Sequence, residues 1–306
     1  MLFCIILLSS LFILYNMNIN NKNVDDILIK KIIGSVKSKK TLIFMDDRFI
    51  TSEIVKFLSN HLKFISKLEN EKSKEFEAVV KHVRSRCHDI YEIFQTRDVE
   101  KRDLLLNNIK KLTKENAVPI LETHISTKER LPYYETLYKD IFGLIGVPNS
   151  IFDIGCGLNP ISIPFMESAG LKLSKIRYCA TEMSLEDTNF IGNFFMKFKM
   201  ESEVFPCNIV KEYGLLSKYP CDVCFAFKLF DVLESQEENI SYKIIESLKC
   251  KYLVASFSMK NIKNQKMKRT SVSYFERFLT KLGYSWSTLS IENELFYIVD
   301  MSSKKS

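Results

Sequence analysis

The sequence predicts an α/β protein: a mostly parallel, seven-stranded sheet with helices on both faces, preceded by an N-terminal helical domain. Three observations carry this. After about residue 125, apolar runs of strand length alternate with helical stretches. One run, Ser150–Ile154, opens into Gly-Cys-Gly-Leu-Asn-Pro160 and then a helix-compatible segment, the layout of a strand, a glycine loop and a helix start. Before about residue 122 the apolar residues recur at helical spacing, with Gly34 the only glycine and Pro119 the only proline.

In the helical region the repeats are Val24, Ile27, Leu28 and Ile32, then Ile54, Phe57, Leu58 and Leu62, then Val79, Val80, Val83 and Cys87. Lys81, Arg84, Arg86 and His88 fall close together on the last of these helices. Strands are expected at Ser150–Ile154, Ile176–Thr181, Glu203–Phe205, Val223–Phe227, Tyr252–Phe257, Thr288–Ile291 and Leu295–Asp300. Helices fall between them at Pro160–Ser168, Leu185–Phe198, Ile240–Ser247 and Ser271–Leu282. The last helix is followed by two adjacent strands, which predicts a closing reversed hairpin.

Residues 1–16 stand apart. The block is apolar and uncharged, with neither the basic start nor the small-residue cleavage site of a secretory signal. It also falls short of the roughly 20 residues that span a bilayer. We read Met17 as the start of a cytoplasmic chain with no membrane contact; a short membrane anchor is the alternative. The domain expectation is then residues 17–124 helical and 125–306 α/β.

Composition excludes little. With 44 basic and 37 acidic residues the chain carries +7, compatible with RNA or an acidic surface, and this balance decides for neither. Most of the eight cysteines sit in apolar runs, as reduced intracellular thiols do. Cys221-x-x-Cys224 has no second pair, and positions i and i+3 of a strand face opposite sides, so no metal is expected.

The glycine loop carries the chemistry. Gly155 and Gly157 lack a Cβ, which permits φ > 0 and close approach of a ligand. Pro160 replaces the third glycine of the dinucleotide fingerprint G-x-G-x-x-G, which disfavours NAD or FAD and fits the shorter loop of S-adenosylmethionine-dependent methyltransferases. Asp153 ends the first strand, where it can brace loop amides or attract a sulfonium and an amino group. Glu182 ends the second, placed for ribose hydroxyls. Asn208 follows the third strand, where its amide can meet a ligand. Lys228 and Ser256 end the next two strands, and Lys260 opens a basic loop, Lys260–Arg269, suited to phosphates.

Several segments resemble one family, the 16S ribosomal RNA (guanine-N7) methyltransferases of the aminoglycoside-resistance type. They are His124-Ile-Ser-Thr-Lys-Glu-Arg-Leu131, Ile151–Pro160, Phe227–Gln236, Ala255–Lys260 and Glu292–Ile298, in the family's order and at similar spacing. The likeness spans roughly residues 120 to 300 and extends faintly to Arg84-Ser-Arg-Cys-His88. It implies a Rossmann-like class I methyltransferase fold using S-adenosyl-L-methionine. Arg130 would fork onto the cofactor carboxylate. Lys81, Arg84 and Arg86 would dock ribosomal RNA, making residues 17–124 an RNA-docking domain; Lys228, Ser256 and Lys260 would face the substrate. Ser258 and Asp231 stand where the family has proline, both on the substrate side.

The implied partner is 16S-type RNA in the assembled small ribosomal subunit. Guanine N7 has an in-plane lone pair and no proton, so the resemblance implies direct in-line transfer with no residue acting as general base. Two alternatives stay open: a methyltransferase acting on a small molecule or protein, and a non-enzymatic RNA-binding protein on this fold.

Overall fold

A computed structural model describes residues 17–96, 98–259 and 271–303. The chain divides between Asp89 and Ile90 into two compact units, well before the change of sequence texture near residue 124. The reason is packing. Leu106, Ile109, Ala117, Ile120 and Leu121 are helical in pattern, yet they share one apolar core with the sheet of the second unit.

The first unit opens with a hairpin the sequence reading did not foresee, β1 (Met17–Ile19) and β2 (Lys22–Val24). Its turn residues, Asn20 and Asn21, have φ of 48° and 65°, values asparagine tolerates better than most residues. Three helices follow: α1 (Asp26–Lys37), α2 (Asp47–Asn60) and α3 (Lys74–Ile90). Asp25 and Asp46 cap the first two by accepting backbone N–H groups of the opening turn. Leu28, Ile32, Ile54, Leu58, Val79, Val83 and Cys87 are buried as their spacing predicts, whereas Ile27 is exposed.

The second unit begins with α4 (Arg102–Asn108), α5 (Lys114–Leu121), α6 (Ile125–Arg130) and α7 (Tyr134–Ile145). Its strands are β3 (Ser150–Ile154), β4 (Arg177–Glu182), β5 (Glu201–Pro206), β6 (Cys221–Phe227), β7 (Cys250–Ser258), β8 (Ser285–Ile291) and β9 (Glu294–Asp300). Between them lie α8 (Ile163–Ser168), α9 (Leu185–Lys197), α10 (Ile209–Glu212), α11 (Phe230–Glu234), α12 (Ile240–Ser247) and α13 (Ser273–Leu282). The expected helix from Pro160 starts as a 3-10 turn, Asn159–Ser162, because Pro160 and Pro164 cannot donate to an α-helical ladder.

Among the described residues seven strands form one sheet in the order β5-β4-β3-β6-β7-β9-β8. β9 alone runs against its neighbours, inserted between β7 and β8, so the expected closing hairpin is present. Along the central strands side chains alternate between two cores. Val223, Phe225 and Phe227 join one with helices α4–α9, and Cys224 and Ala226 join the other with α10–α13. Cys221 and Cys224 pack toward the same core, contrary to the simple alternation, because Cys221 stands at the strand's first residue. Among the described residues no helix is long and apolar enough to cross a membrane, and no group of three or more histidine, cysteine or carboxylate side chains could hold a metal.

Candidate functional site

The chain leaves β5 and returns to the middle of the sheet for β6, so the loops after β3 and β6 diverge. A crevice outside the carboxyl ends of the strands is the usual result. Here it is a cavity lined by Gly155–Gly157 after β3, Glu182 and Asp187 after β4, Asn208 after β5, and Phe227–Leu229 with Gln236 after β6. His124 and Arg130 of the α6 region, here termed its floor, and Tyr91, Phe94 and Gln95, here termed its roof, complete the lining.

The glycine loop is fastened by the strand beside it. Cys156 N–H donates to the Thr181 carbonyl at 2.9 Å, and Gly157 N–H to Glu182 Oε2 at 2.9 Å. Glu182 Oε1 accepts Met183 N–H at 2.7 Å, so one carboxylate holds both turns. Burial, then the charge of Asp187, raises Glu182 to about 7, against the pull of those backbone donors. Gly155 and Gly157 have φ of +59° and +49°. The space left by their missing Cβ atoms is taken by protein: a Cβ would lie 2.6 Å from Leu229 Cδ1 at the first and 3.0 Å from His124 Nε2 at the second.

Asn208 is buried on the cavity wall and caps α10 through Lys211 N–H. Asp153 is different from expectation. It lies behind the loop, outside the cavity lining, where its Oδ2 accepts Asn159 Nδ2 and the Tyr178 hydroxyl, each at 2.8 Å. It therefore braces the Asn-Pro turn and meets no loop amide. Burial raises it to about 7, with those two donors opposing.

Arg130, expected on the cofactor carboxylate, and the substrate-side residues also differ from expectation. Arg130 is fully buried, and its Nε and Nη2 bind Glu294 at 2.9–3.0 Å, so this edge of the fork meets a protein carboxylate. Its guanidinium lies over the Phe227 ring at 4.8 Å. Ser256 is not on a rim: it is buried, its hydroxyl donates to Glu294, and it holds the Lys228 amide. Lys228, at a left-handed φ of 54°, lines the cavity with its ammonium paired to Glu129 and 3.7 Å from Glu294. Lys260 and its basic loop lie outside the described residues.

Glu294 is thus the shared counter-charge of buried Arg130 and half-buried Lys228, and the sequence reading gave it no role although it stands in a quoted segment. His124 and Gln236 were missed the same way. The His124 ring stacks on Phe94 with centroids 5.9 Å apart, and its Nδ1 is buried without a hydrogen-bond partner among the described residues. Burial, then the charges of Arg102, Arg130 and Lys228, keeps this imidazole well below its ordinary range and neutral.

In the first unit Lys81 is exposed, but the arginines expected beside it on an RNA face are engaged internally. Arg84 donates to the Ser35 carbonyl at 2.6 Å and to Ser38 Oγ at 2.9 Å, capping the end of α1. Arg86 pairs with buried Glu53 at 3.2 Å.

Comparison with known proteins follows this geometry. The model of a ribosomal RNA methyltransferase (FmrO) family matches residues 67–298, most of the chain. The chain belongs to that family. A 16S rRNA (guanine(1405)-N(7))-methyltransferase of Proteus mirabilis is 34% identical over 199 residues, covering 61% of this chain and 66% of that protein. One from Frankia casuarinae is 28% identical over 181 residues, 58% of this chain and 62% of its own length. The chain thus spans about two thirds of these relatives. The 16S rRNA methylase ArmA is similar in structure at 28% identity and TM-score 0.51, covering 65% of this chain and 97% of that one. The family's fold also recurs in RmtF, solved with S-adenosyl-L-homocysteine, at 19% identity and TM-score 0.70 over 90% of this chain and 98% of that one.

Proposed function

We propose that this chain methylates N7 of a guanine in 16S-type ribosomal RNA, with S-adenosyl-L-methionine as donor, on the assembled small subunit in the cytoplasm. The observation that carries the reading is the cavity at the carboxyl ends of β3–β6, whose lining lies wholly within the residues matched by the FmrO family model. The target guanine would be the one named for the Proteus and Frankia relatives.

The donor set fits such a cofactor. Glu182 is a carboxylate at the end of β4, suited to accept ribose hydroxyls, and Asn208 offers an amide to a base edge. Arg130, held in place by Glu294, supplies positive charge to a carboxylate, and the buried Nδ1 of His124 awaits a partner. When bound, the cofactor would supply an electrophilic methyl on its sulfonium. Guanine N7 needs no base, so the work of these residues is alignment and exclusion of water. The aromatic rings of Phe94 and Phe227 line the cavity and suit planar ligands. Docking on ribosomal RNA we assign to the helical residues of the N-terminal region, with Lys81 the exposed cation of the predicted cluster.

The test is methyl incorporation from labelled donor into intact small subunits, free RNA, protein and small-molecule acceptors, followed by borohydride and aniline cleavage at N7-methylguanine. Methyl in the subunit RNA with one cleavage site supports the reading. Incorporation only into protein or small molecules would favour the other methyltransferase class, and no incorporation with RNA retained would favour a binding protein.

A further inference from the structure

The roof of the cavity is tied down by one buried side chain that the sequence reading passed over. Arg102, at the start of α4, spends its guanidinium on three separate parts of the second unit. Nη1 donates to Asp187 Oδ1 at 2.6 Å, Nη2 to Gln95 Oε1 at 2.6 Å and the Thr123 carbonyl at 3.0 Å, and Nε to Thr123 Oγ1 at 2.7 Å. Gln95 closes the ring by donating to Asp187 Oδ2 at 3.2 Å. The main chain of the roof is joined to the same turn, Gln95 bridging His124 and Thr96 N–H donating to the Thr123 carbonyl. Tyr91 meets Ser184, the cap of α9, through the two hydroxyls.

We propose that Arg102 is a positioning residue for the nucleoside end of the cofactor: through Gln95 and Asp187 it holds the Tyr91–Gln95 roof against the wall that carries Glu182. This rests on the cofactor reading above. Two physical effects make the arginine the pivot. Its planar fork satisfies acceptors in three directions at once, which a lysine cannot do. Its charge also pairs with Asp187, the buried carboxylate beside Glu182, and so fixes that wall residue in place.

The experiment uses the full chain, with S-adenosyl-L-homocysteine as probe in calorimetry and methyl transfer to small subunits as the second readout. The wild-type titration comes first, and absence of binding there would overturn the cofactor reading itself. Given wild-type binding, Arg102→Lys and Gln95→Leu should each weaken the probe by about tenfold or more. The KM for donor should rise while the KM for the small subunit stays, and the Thr96 amide should exchange faster. A purely structural role would lower the melting temperature and leave affinity unchanged. Gln95→Leu removes no buried charge, so it decides the matter if Arg102→Lys does not fold. Folded Gln95→Leu protein with wild-type affinity refutes the proposal.

Discussion

The two walls of the cavity are built by different means. Where β3, β4 and β5 end, two polar groups are satisfied by backbone amides: Glu182 by those of Gly157 and Met183, Asn208 by the first turn of its own helix. Where β6 and β7 end and β9 begins, the polar groups satisfy one another across long separations, Arg130 to Glu294 and Lys228 to Glu129. The first wall is a set of hydrogen-bond caps that leaves acceptors facing a ligand. The second is an ion network whose members depend on each other. Perturbing the first should therefore change binding, and perturbing the second should change stability.

The largest effect expected is at Glu294. Glu294→Ala would leave Arg130 buried without its counter-charge, Lys228 keeping Glu129, at a cost of about 3–5 kcal/mol in urea unfolding. At about pH 4, where its carboxyl is protonated, Glu182→Gln should barely alter unfolding, and at neutral pH it should weaken S-adenosyl-L-homocysteine in calorimetry. Equal destabilisation by the two variants would erase the distinction between the walls.

A pH series sharpens the same contrast. Asp153 and Glu182 are each raised to about 7 by burial, whereas unfolded carboxyls titrate near 4. Between about pH 4 and about 7 the folded state thus binds more protons than the unfolded one. Their contribution to stability is full below about pH 4 and is lost as pH rises to about 7, at no more than about 1.4 kcal/mol per unit per group. Urea unfolding at stepped pH should show this decline, and Glu182→Gln should remove its share while leaving that of Asp153. An unchanged slope in the variant would mean Glu182 does not titrate there. Ribose hydroxyls favour the charged carboxylate, so cofactor affinity should rise over the same window.

Smaller effects follow from backbone and surface. Gly155→Ala should cost about 1–2 kcal/mol for the left-handed backbone, with Leu229 forced to move as well. In the N-terminal unit Arg84→Ala should cost about 1 kcal/mol by uncapping α1, whereas Lys81→Ala should stay within about 0.5 kcal/mol. Lys81→Ala should instead lower the salt dependence of small-subunit binding by about one unit of slope. Thermal unfolding and filter binding across salt would check the pair.

What could be read from the chain in advance follows the same division. All seven strands of the main sheet were legible, because short apolar runs and the glycine loop are local patterns. Glu182 and Asn208 could be placed from strand ends alone. The partners of Arg130, Lys228 and Ser256 could not, since Glu294 comes near them only through the insertion of β9 beside β7. Arg84 and Arg86 looked like a basic face because spacing on one helix cannot reveal that Ser35 and Glu53, on other helices, accept from them. The boundary at Asp89 was hidden because helical periodicity does not say which core a helix joins.

The reversed strand β9 has a consequence in time as well as in space. Arg130 is synthesised 164 residues before Glu294, the first residue of that strand. A nascent chain can pair β3, β4, β5, β6 and β7 while the cations beneath the cavity still lack their carboxylate. Only when the β8–β9 hairpin docks with β9 against β7 does Arg130 gain its carboxylate. The site is therefore the last part of this domain to mature on the ribosome, and a chain stalled short of residue 294 would carry much of the sheet without a finished pocket.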